Sequence, residues 1–391
     1  MNIARYLSVL RLPRVRPVMV LMLLARIPTT AAGMTLTLHV VLSLDKGYGA
    51  AGLVGTAGTI GIALGAPLMG RLTDRRGLRA MLVLSTITEG LFWFSAPVLP
   101  YPVLLVTSLL SGLVTIPTMS IGRQVLTALV PVDQRRTALA VDSMAVEVAY
   151  MAGPALGVLL TTRATSQVAL WSVGAAMVAS GIALYVVNPP IRNEEENAVV
   201  ERPARREWLT PPVLGVLLTS AGAIIVLAGM EVALVAALQE QGRVEWTGVL
   251  VIVMCAASLV GGFVYGAVSR PPSPRMLMTA LGALAIPVGL STGSVWVLAL
   301  ALVPANLMAA PVIASTGEVI TRLTPASVRG EAMGLQGSAF TLGAAAGAPL
   351  AGFVIDHSSA GWGFVVVGAV GVSIAGIGVL LDRRAANLVE V

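Results

Sequence analysis

The sequence predicts an all-α integral membrane protein of twelve transmembrane helices, built as two pseudo-symmetric six-helix bundles. Three observations carry this. Apolar runs of about 20 residues, the length that crosses a bilayer as a helix, recur along the whole chain. Of 391 residues, 56% are hydrophobic and only 11% charged, where a soluble domain carries about 25% charged residues. Part of the first half returns in the second: Leu129-Val-Pro-Val-Asp-Gln-Arg135 resembles Leu323-Thr-Pro-Ala-Ser-Val-Arg329, and Ala152-Gly153 and Leu156 return as Ala346-Gly347 and Leu350. An offset of about half the chain is too long for a solenoid repeat and fits two parallel repeats of six helices.

Spans are expected at 18–42, 50–70, 80–98, 102–129, 138–161, 167–187, 212–238, 247–268, 275–293, 295–321, 331–354 and 361–381. The first is longer than a signal-peptide core and is followed at once by another, so it reads as a retained helix. Pro97, Pro100 and Pro102 mark the turn between spans 3 and 4, and Gly293 and Ser294 that between spans 9 and 10. The hydrophilic stretch 188–211, with Glu194, Glu195 and Glu196 among Arg and Pro residues, reads as a linker between bundles at 1–187 and 212–391. The 41 glycines and the low aromatic content of 5% suit helices packed backbone to backbone in lipid.

Basic residues test the layout. Arg26 and Arg123 fall inside spans, and Lys46, Arg163 and Arg243 fall on one side. All other basic residues lie on the side of the termini. This asymmetry predicts cytoplasmic termini and a plasma-membrane location. It also assigns the net charge of +6 to topology rather than to nucleic acid. The lone Cys255 permits no intrachain disulfide. No cofactor is expected: no phosphate loop ends in Lys-Ser/Thr, and His39 and His357 are too far apart in sequence to suggest a metal site.

Between spans 2 and 3 runs Gly70-Arg-Leu-Thr-Asp74-Arg75-Arg76-Gly77-Leu-Arg79. It resembles the signature loop of the major facilitator superfamily, departing at Leu78, where a basic residue is usual. The resemblance implies a conformational switch loop that contacts span 11. The carboxylate of Asp74 suits the positive N-terminus of a neighbouring helix, near Gly330 to Gly334. In span 5, Ala149-Tyr-Met-Ala-Gly153-Pro154-Ala-Leu-Gly157 is similar to the Gly-Pro motif of the drug–proton antiporter branch, with Ala149 and Val158 replacing two usual glycines. Gly153, Pro154 and Gly157 would kink the helix and let it pack closely. Ser108 stands where antiporter relatives often carry Arg.

The resemblance implies a secondary active transporter and no enzyme: proton-coupled efflux of small apolar or amphipathic molecules by alternating access, as a monomer among lipids. The alternatives are uptake or facilitated diffusion of a polar solute such as a sugar, and a non-transporting membrane receptor or assembly protein on the same scaffold.

Ionisable groups in a bilayer are costly and mark functional positions. Seven fall inside the expected spans: Arg26, Glu89, Arg123, Asp142, Glu147, Glu231 and Glu318. Arg26, Glu89 and Glu147 lie at a common depth, roughly 13 Å from the inner ends at the helical rise. Glu147, with Arg26 as counter-ion, is the first proton-coupling candidate, followed by Glu231 and Asp142. Glu89 reads as structural. In the family, spans 1, 4, 7 and 10 line the cavity, which makes cavity candidates of Thr30, Gly33, Met34, Thr37, Ser111, Thr115, Thr118, Met119, Met230 and Asn306. The alternative for the Ser and Thr stripes is hydrogen bonding between helices. Arg123 and Glu318, at nearly equivalent repeat positions with opposite signs, are expected to pair as a cytoplasmic gate.

Overall fold

The computed structural model describes residues 3–192, 203–268 and 271–389, and these are helical with short connections and no strand. Twelve helices are long and apolar enough to span a membrane. Spans 1 to 6 are Val15–Leu42, Ala50–Arg76, Leu78–Val98, Tyr101–Leu129, Arg135–Arg163 and Ser166–Val187. Spans 7 to 12 are Pro211–Glu240, Val244–Ala267, Pro274–Ser291, Val295–Leu323, Ala326–His357 and Ala360–Gly378. Helices satisfy their own backbone groups, as lipid requires. Local chemistry fixes several ends: Thr165 and Ser273 accept from the backbone N–H of Val168 and Met276, at 3.2 and 3.3 Å, and Pro211 and Pro274 occupy first turns.

Two expectations need correction. The signature segment between spans 2 and 3 is mostly helix, not loop. Span 2 runs to Arg76, and only Gly77, at φ 82°, separates it from span 3. That left-handed conformation favours glycine. Asp74 therefore sits on a rigid helical end. Spans 4 and 10 are also not continuous. Span 4 breaks at Thr115–Pro117, where Pro117 lacks an N–H and disfavours helical geometry at Ile116. Span 10 breaks at the pseudo-equivalent Leu307–Met308.

The packing has the symmetry of the repeat. Span 1 packs on span 5, 2 on 4, and 3 on 6; span 7 packs on span 11, 8 on 10, and 9 on 12. Between the halves, span 2 meets span 11 and span 5 meets span 8. Glycines allow the close approaches: Gly65 lies under the Leu113 carbonyl, and Gly347 under the Ile225 carbonyl. The second half packs around an extended apolar core that includes Met230, Leu234 and Phe364, with a smaller cluster around Trp208. The first half has clusters around Trp93, Leu104 and Leu170, around Met22, Met81 and Ile121, and around Val9, Val15 and Leu126.

Span 6 ends at Val187, and the described part of the segment that follows is docked. Trp208 on the short helix Arg205–Trp208 is buried against the ends of spans 7, 10 and 11 at the arginine-rich face. The acidic run Glu194–Glu196 lies outside the described residues.

Candidate functional site

The first-half helices carry a buried polar layer. Arg26 of span 1 is fully buried, and its Nη1 lies 2.7 Å from Asp142 Oδ1 of span 5. The Arg26 nitrogens lack aligned hydrogen bonds, so this is an ion pair held by charge more than by direction. Arg123 of span 4 approaches the other Asp142 oxygen at 3.9 Å. Two guanidiniums thus share one carboxylate. Arg123 completes its surroundings in the other half: Nη1 donates to Gln336 Oε1 of span 11 at 2.8 Å, and its guanidinium lies 5.2 Å from the Phe340 ring centre. Gln336 passes the connection on, donating to Thr316 Oγ1 at 3.0 Å and Ser220 Oγ at 3.3 Å. Gly122 leaves room for Arg26, since a side chain there would meet its guanidinium.

Toward the face that carries the arginine-rich ends, a polar seam joins the halves. Asp74 accepts from the backbone N–H of Gly330 at 3.0 Å and of Glu331 at 2.8 Å, at the start of the long helix of span 11. A carboxylate is favoured at such an N-terminus. Glu331 is fully buried between Arg71, at 3.2 Å, and Arg205, at 2.5 Å. Arg192 reaches Asp74 and the Ser327 carbonyl at 3.4 and 3.3 Å. On the other flank Glu318 pairs with Arg136 of span 5 at 3.3 Å, and with Arg322 and Tyr265 of its own half. Thr137 donates to the Gly266 carbonyl at 2.8 Å. Tyr6, on the helix Ile3–Arg11, stacks on Phe263 and donates to its carbonyl. Burial pushes the Tyr6 hydroxyl up to about 12, so it remains a donor at neutral pH. Ser120 donates to the Met333 carbonyl. Deeper in the bundle, Ser338 donates to the Ala63 carbonyl and Ser258 to Glu147 Oε1, at 2.5 and 2.8 Å. Among the described residues, no hydrogen bond between the halves is found nearer the opposite face.

A model of the Major Facilitator Superfamily matches residues 18–295 and 247–389. The chain belongs to the major facilitator superfamily. It is a membrane transporter of that fold. Solved structures agree in fold across nearly the whole chain. The human organic anion transporter MFSD10 (TETRAN) superposes with a TM-score of 0.73 at 17% identity, covering 93% of this chain and 98% of its own. A bacterial homologue of the iron transporter ferroportin, in an outward-facing state, gives 0.74 at 14% identity and 95% and 99% coverage. The proton:xylose symporter XylE gives 0.70 at 13% identity and 96% and 95% coverage. No curated protein matches the sequence.

Against this major facilitator frame, several expected roles move. Arg26 pairs with Asp142, not Glu147. Asp142 lies about one and a half helical turns nearer the arginine-rich face, and Glu147 instead meets Ser258 and the Cys255 thiol of span 8. Arg123 and Glu318 do not pair: Asp142 and Gln336 hold Arg123, while Arg136 holds Glu318. Thr30 faces span 5, donating to the Ala149 carbonyl at 2.7 Å beside Gly153, and Gly157 packs on Thr35. Pro154 lies within an unbroken helix. Ser111 is buried, and the neighbouring Ser108 and Gly112 face span 2. Thr115 bonds Glu89 of span 3, and Thr118 lies beside it. Met230 is core, and the Asn306 amide caps its own helix at Leu302. Within the stripes, Thr30, Ser108 and Thr115 thus bond neighbouring helices. Gly33 and Met34 are exposed, Thr37 and Met119 half-buried, and Glu231 is exposed. Gly70 packs on Gly330, Arg75 is exposed, and Arg79 covers the Tyr185 ring at 5.1 Å.

The sequence reading passed over Glu331, Gln336, Arg136 and Ser258. Glu331 had a signal: an acid in the first turn of a helix, two residues beyond the repeated segment. The others are ordinary residue types whose partners lie in the opposite half. The Arg136–Glu318 pair gives a direct test. Arg136→Glu and Glu318→Arg should each slow transport, and the double exchange should recover most of it. A double mutant as slow as the product of the singles would mean that the pair does not act across the seam.

Proposed function

We propose that this transporter is a proton-coupled exporter of small apolar or amphipathic molecules, working by alternating access as a monomer in the plasma membrane. Residues 1–187 and 212–391 are the units that move, joined through 188–211, with the termini and basic face cytoplasmic. In this reading the conformation described is closed to the cytoplasm and open outward.

The observation that carries the reading is Glu147. Its carboxyl is half-buried at mid-span, in no ion pair among the described residues, and is hydrogen-bonded by Ser258 and Cys255 of the other half. A carboxyl at a moving interface can bind a proton in one arrangement and release it in the other. Glu231, exposed on span 7, is the second acid of this region, acting electrostatically with Glu147 on Tyr150 and Cys255. Exposed Met34, Tyr150 and Met151 offer adaptable apolar and aromatic surface.

The test is transport by the purified protein in proteoliposomes, with and without an imposed pH gradient, using lipophilic cations, neutral drugs and sugars. Gradient-dependent movement of the lipophilic compounds is expected. Movement of sugars alone, indifferent to pH, would replace this reading with facilitated uptake.

A further inference from the structure

The short helix Ile3–Arg11 precedes span 1 yet touches both halves. A tight turn joins it to span 1. Leu12, Pro13 and Arg14 alone separate the two helices, and Arg14 holds φ at 68°, a left-handed conformation uncommon for a residue with a side chain. Val9 is fully buried on the first half, in one cluster with Val15 of span 1, Leu126 and Val130 near the end of span 4, and Ala138 of span 5. The helix is thus fixed to the first half, with little slack to follow the second. One turn away on the same helix face, Tyr6 crosses to span 8. It is 6% exposed. Its ring stacks on Phe263, with 4.5 Å between centres and 18° between planes, and its hydroxyl donates to the Phe263 carbonyl. Gly266, one turn further along span 8, leaves room for it: a Cβ there would lie 2.5 Å from the Tyr6 hydroxyl oxygen. The short helix ahead of span 7 does nothing equivalent. It buries Trp208 among Val216, Ile320 and Met333, all of its own half. The crossing therefore belongs to the N-terminal helix and not to the repeat.

We infer that Tyr6 is a latch, a positioning residue for transport that ties span 8 to the first half while the basic face is closed and lets go when that face opens. The inference rests on the alternating-access reading above. Asp74 ties span 2 to span 11 on one flank of the seam. Tyr6 ties the N-terminal helix to span 8 on the other, beside the contact of spans 5 and 8. Halves held at one flank could swing about it; held at both, they must release both. The chemistry suits a contact that is made and broken. A ring stack and one neutral hydrogen bond involve no ionised group, so their separation leaves no unpaired buried charge. It leaves a phenol and a second ring near the membrane surface, where amphipathic aromatic groups are favoured. The contact biases the access states because it is lost in one of them.

The test is the distance between spin labels at exposed Val132 and Leu323, in the full-length protein with Cys255 replaced by Ser. Tyr6→Ala should shift the distribution toward longer distances, with the open-to-closed ratio rising about fivefold or more. Tyr6→Phe keeps the ring and loses the hydrogen bond, and should shift it less. Phe263→Ala should act in the same direction, and the double variant Tyr6→Ala with Phe263→Ala should go no further than the larger single. A general structural defect would not reproduce that equality. If Tyr6→Ala folds poorly, Tyr6→Phe and Phe263→Ala with their double carry the same comparison. Shifts that add in the double variant would overturn the inference, because the two side chains would then act separately. An unchanged distribution in Tyr6→Ala, where Asp74→Asn does open the face, would overturn the latch and leave alternating access standing. No shift in any variant, Asp74→Asn included, would overturn both.

Discussion

Glu147→Gln should reduce pH-gradient-driven transport to the rate seen without a gradient, while the protein still reaches the membrane folded. Gln has nearly the shape of Glu, and its amide oxygen can still accept from Ser258 Oγ, which lies 2.8 Å from Oε1 in the native protein. The substitution removes the proton-binding carboxyl and little else. If the proton that drives export is carried there, the variant retains substrate binding and loses only the response to the gradient. Ser258→Ala provides the contrast. It deletes the Ser258–Glu147 hydrogen bond but leaves the carboxyl, so coupling should persist with an altered pH dependence. Unchanged driven transport in Glu147→Gln would transfer the role to Glu231. The assay is substrate movement against imposed gradients of both signs.

Asp142→Asn should be the most destabilising single change in the first half. Arg26 and Arg123 both depend on this carboxylate, and all three side chains are 5% exposed or less. Removing one partner of a buried ion pair costs about 3–5 kcal/mol, because the remaining charge is left uncompensated. Here two guanidiniums would share an apolar interior, and only Arg123 has other partners, Gln336 and Phe340. Arg26→Met in the same chain should recover part of the loss by removing the orphaned charge. The readout is thermal unfolding and the folded fraction after detergent extraction. A variant as stable as the native protein would mean that the Arg26–Asp142 contact contributes little.

The long apolar runs, the repeat and the basic segment after span 2 made the fold legible in the sequence, because bilayer thickness and backbone satisfaction constrain each of them severely. The position of Asp74 was also legible, since a carboxylate near the start of span 11 follows from helix electrostatics. Side-chain partnership was not. Arg26 and Glu147 share a depth, but depth says nothing of azimuth, and Asp142 is the residue of span 5 that faces span 1. The polar stripes of spans 1 and 4 have helical spacing whether they face water or a neighbouring helix; Thr30 and Ser108 face neighbours. The break at Thr115–Pro117 fits Pro117, yet the apolar run 102–129 reads in the sequence as one continuous span. Its contact with Glu89, on the preceding span and 26 residues earlier, lies beyond any local pattern.

The central claim is that the seam around Asp74 and Glu331 holds the two halves closed at the basic face and must open for transport. Pulsed spin-label distances test it most directly, on a background in which the single native Cys255 is replaced by Ser. Labels at exposed Val132 and Leu323 report the basic face, and labels at exposed Leu42 and Val244 report the opposite one. Asp74→Asn removes the charge from two hydrogen bonds to the span 11 N-terminus. Charged hydrogen bonds are worth about 1.5–3 kcal/mol each, so the closed-to-open ratio should move by about tenfold or more. The account predicts that the basic-face distances lengthen in the variant while the opposite-face distances shorten. Unchanged distributions at both faces, or lengthening at both together, would contradict it.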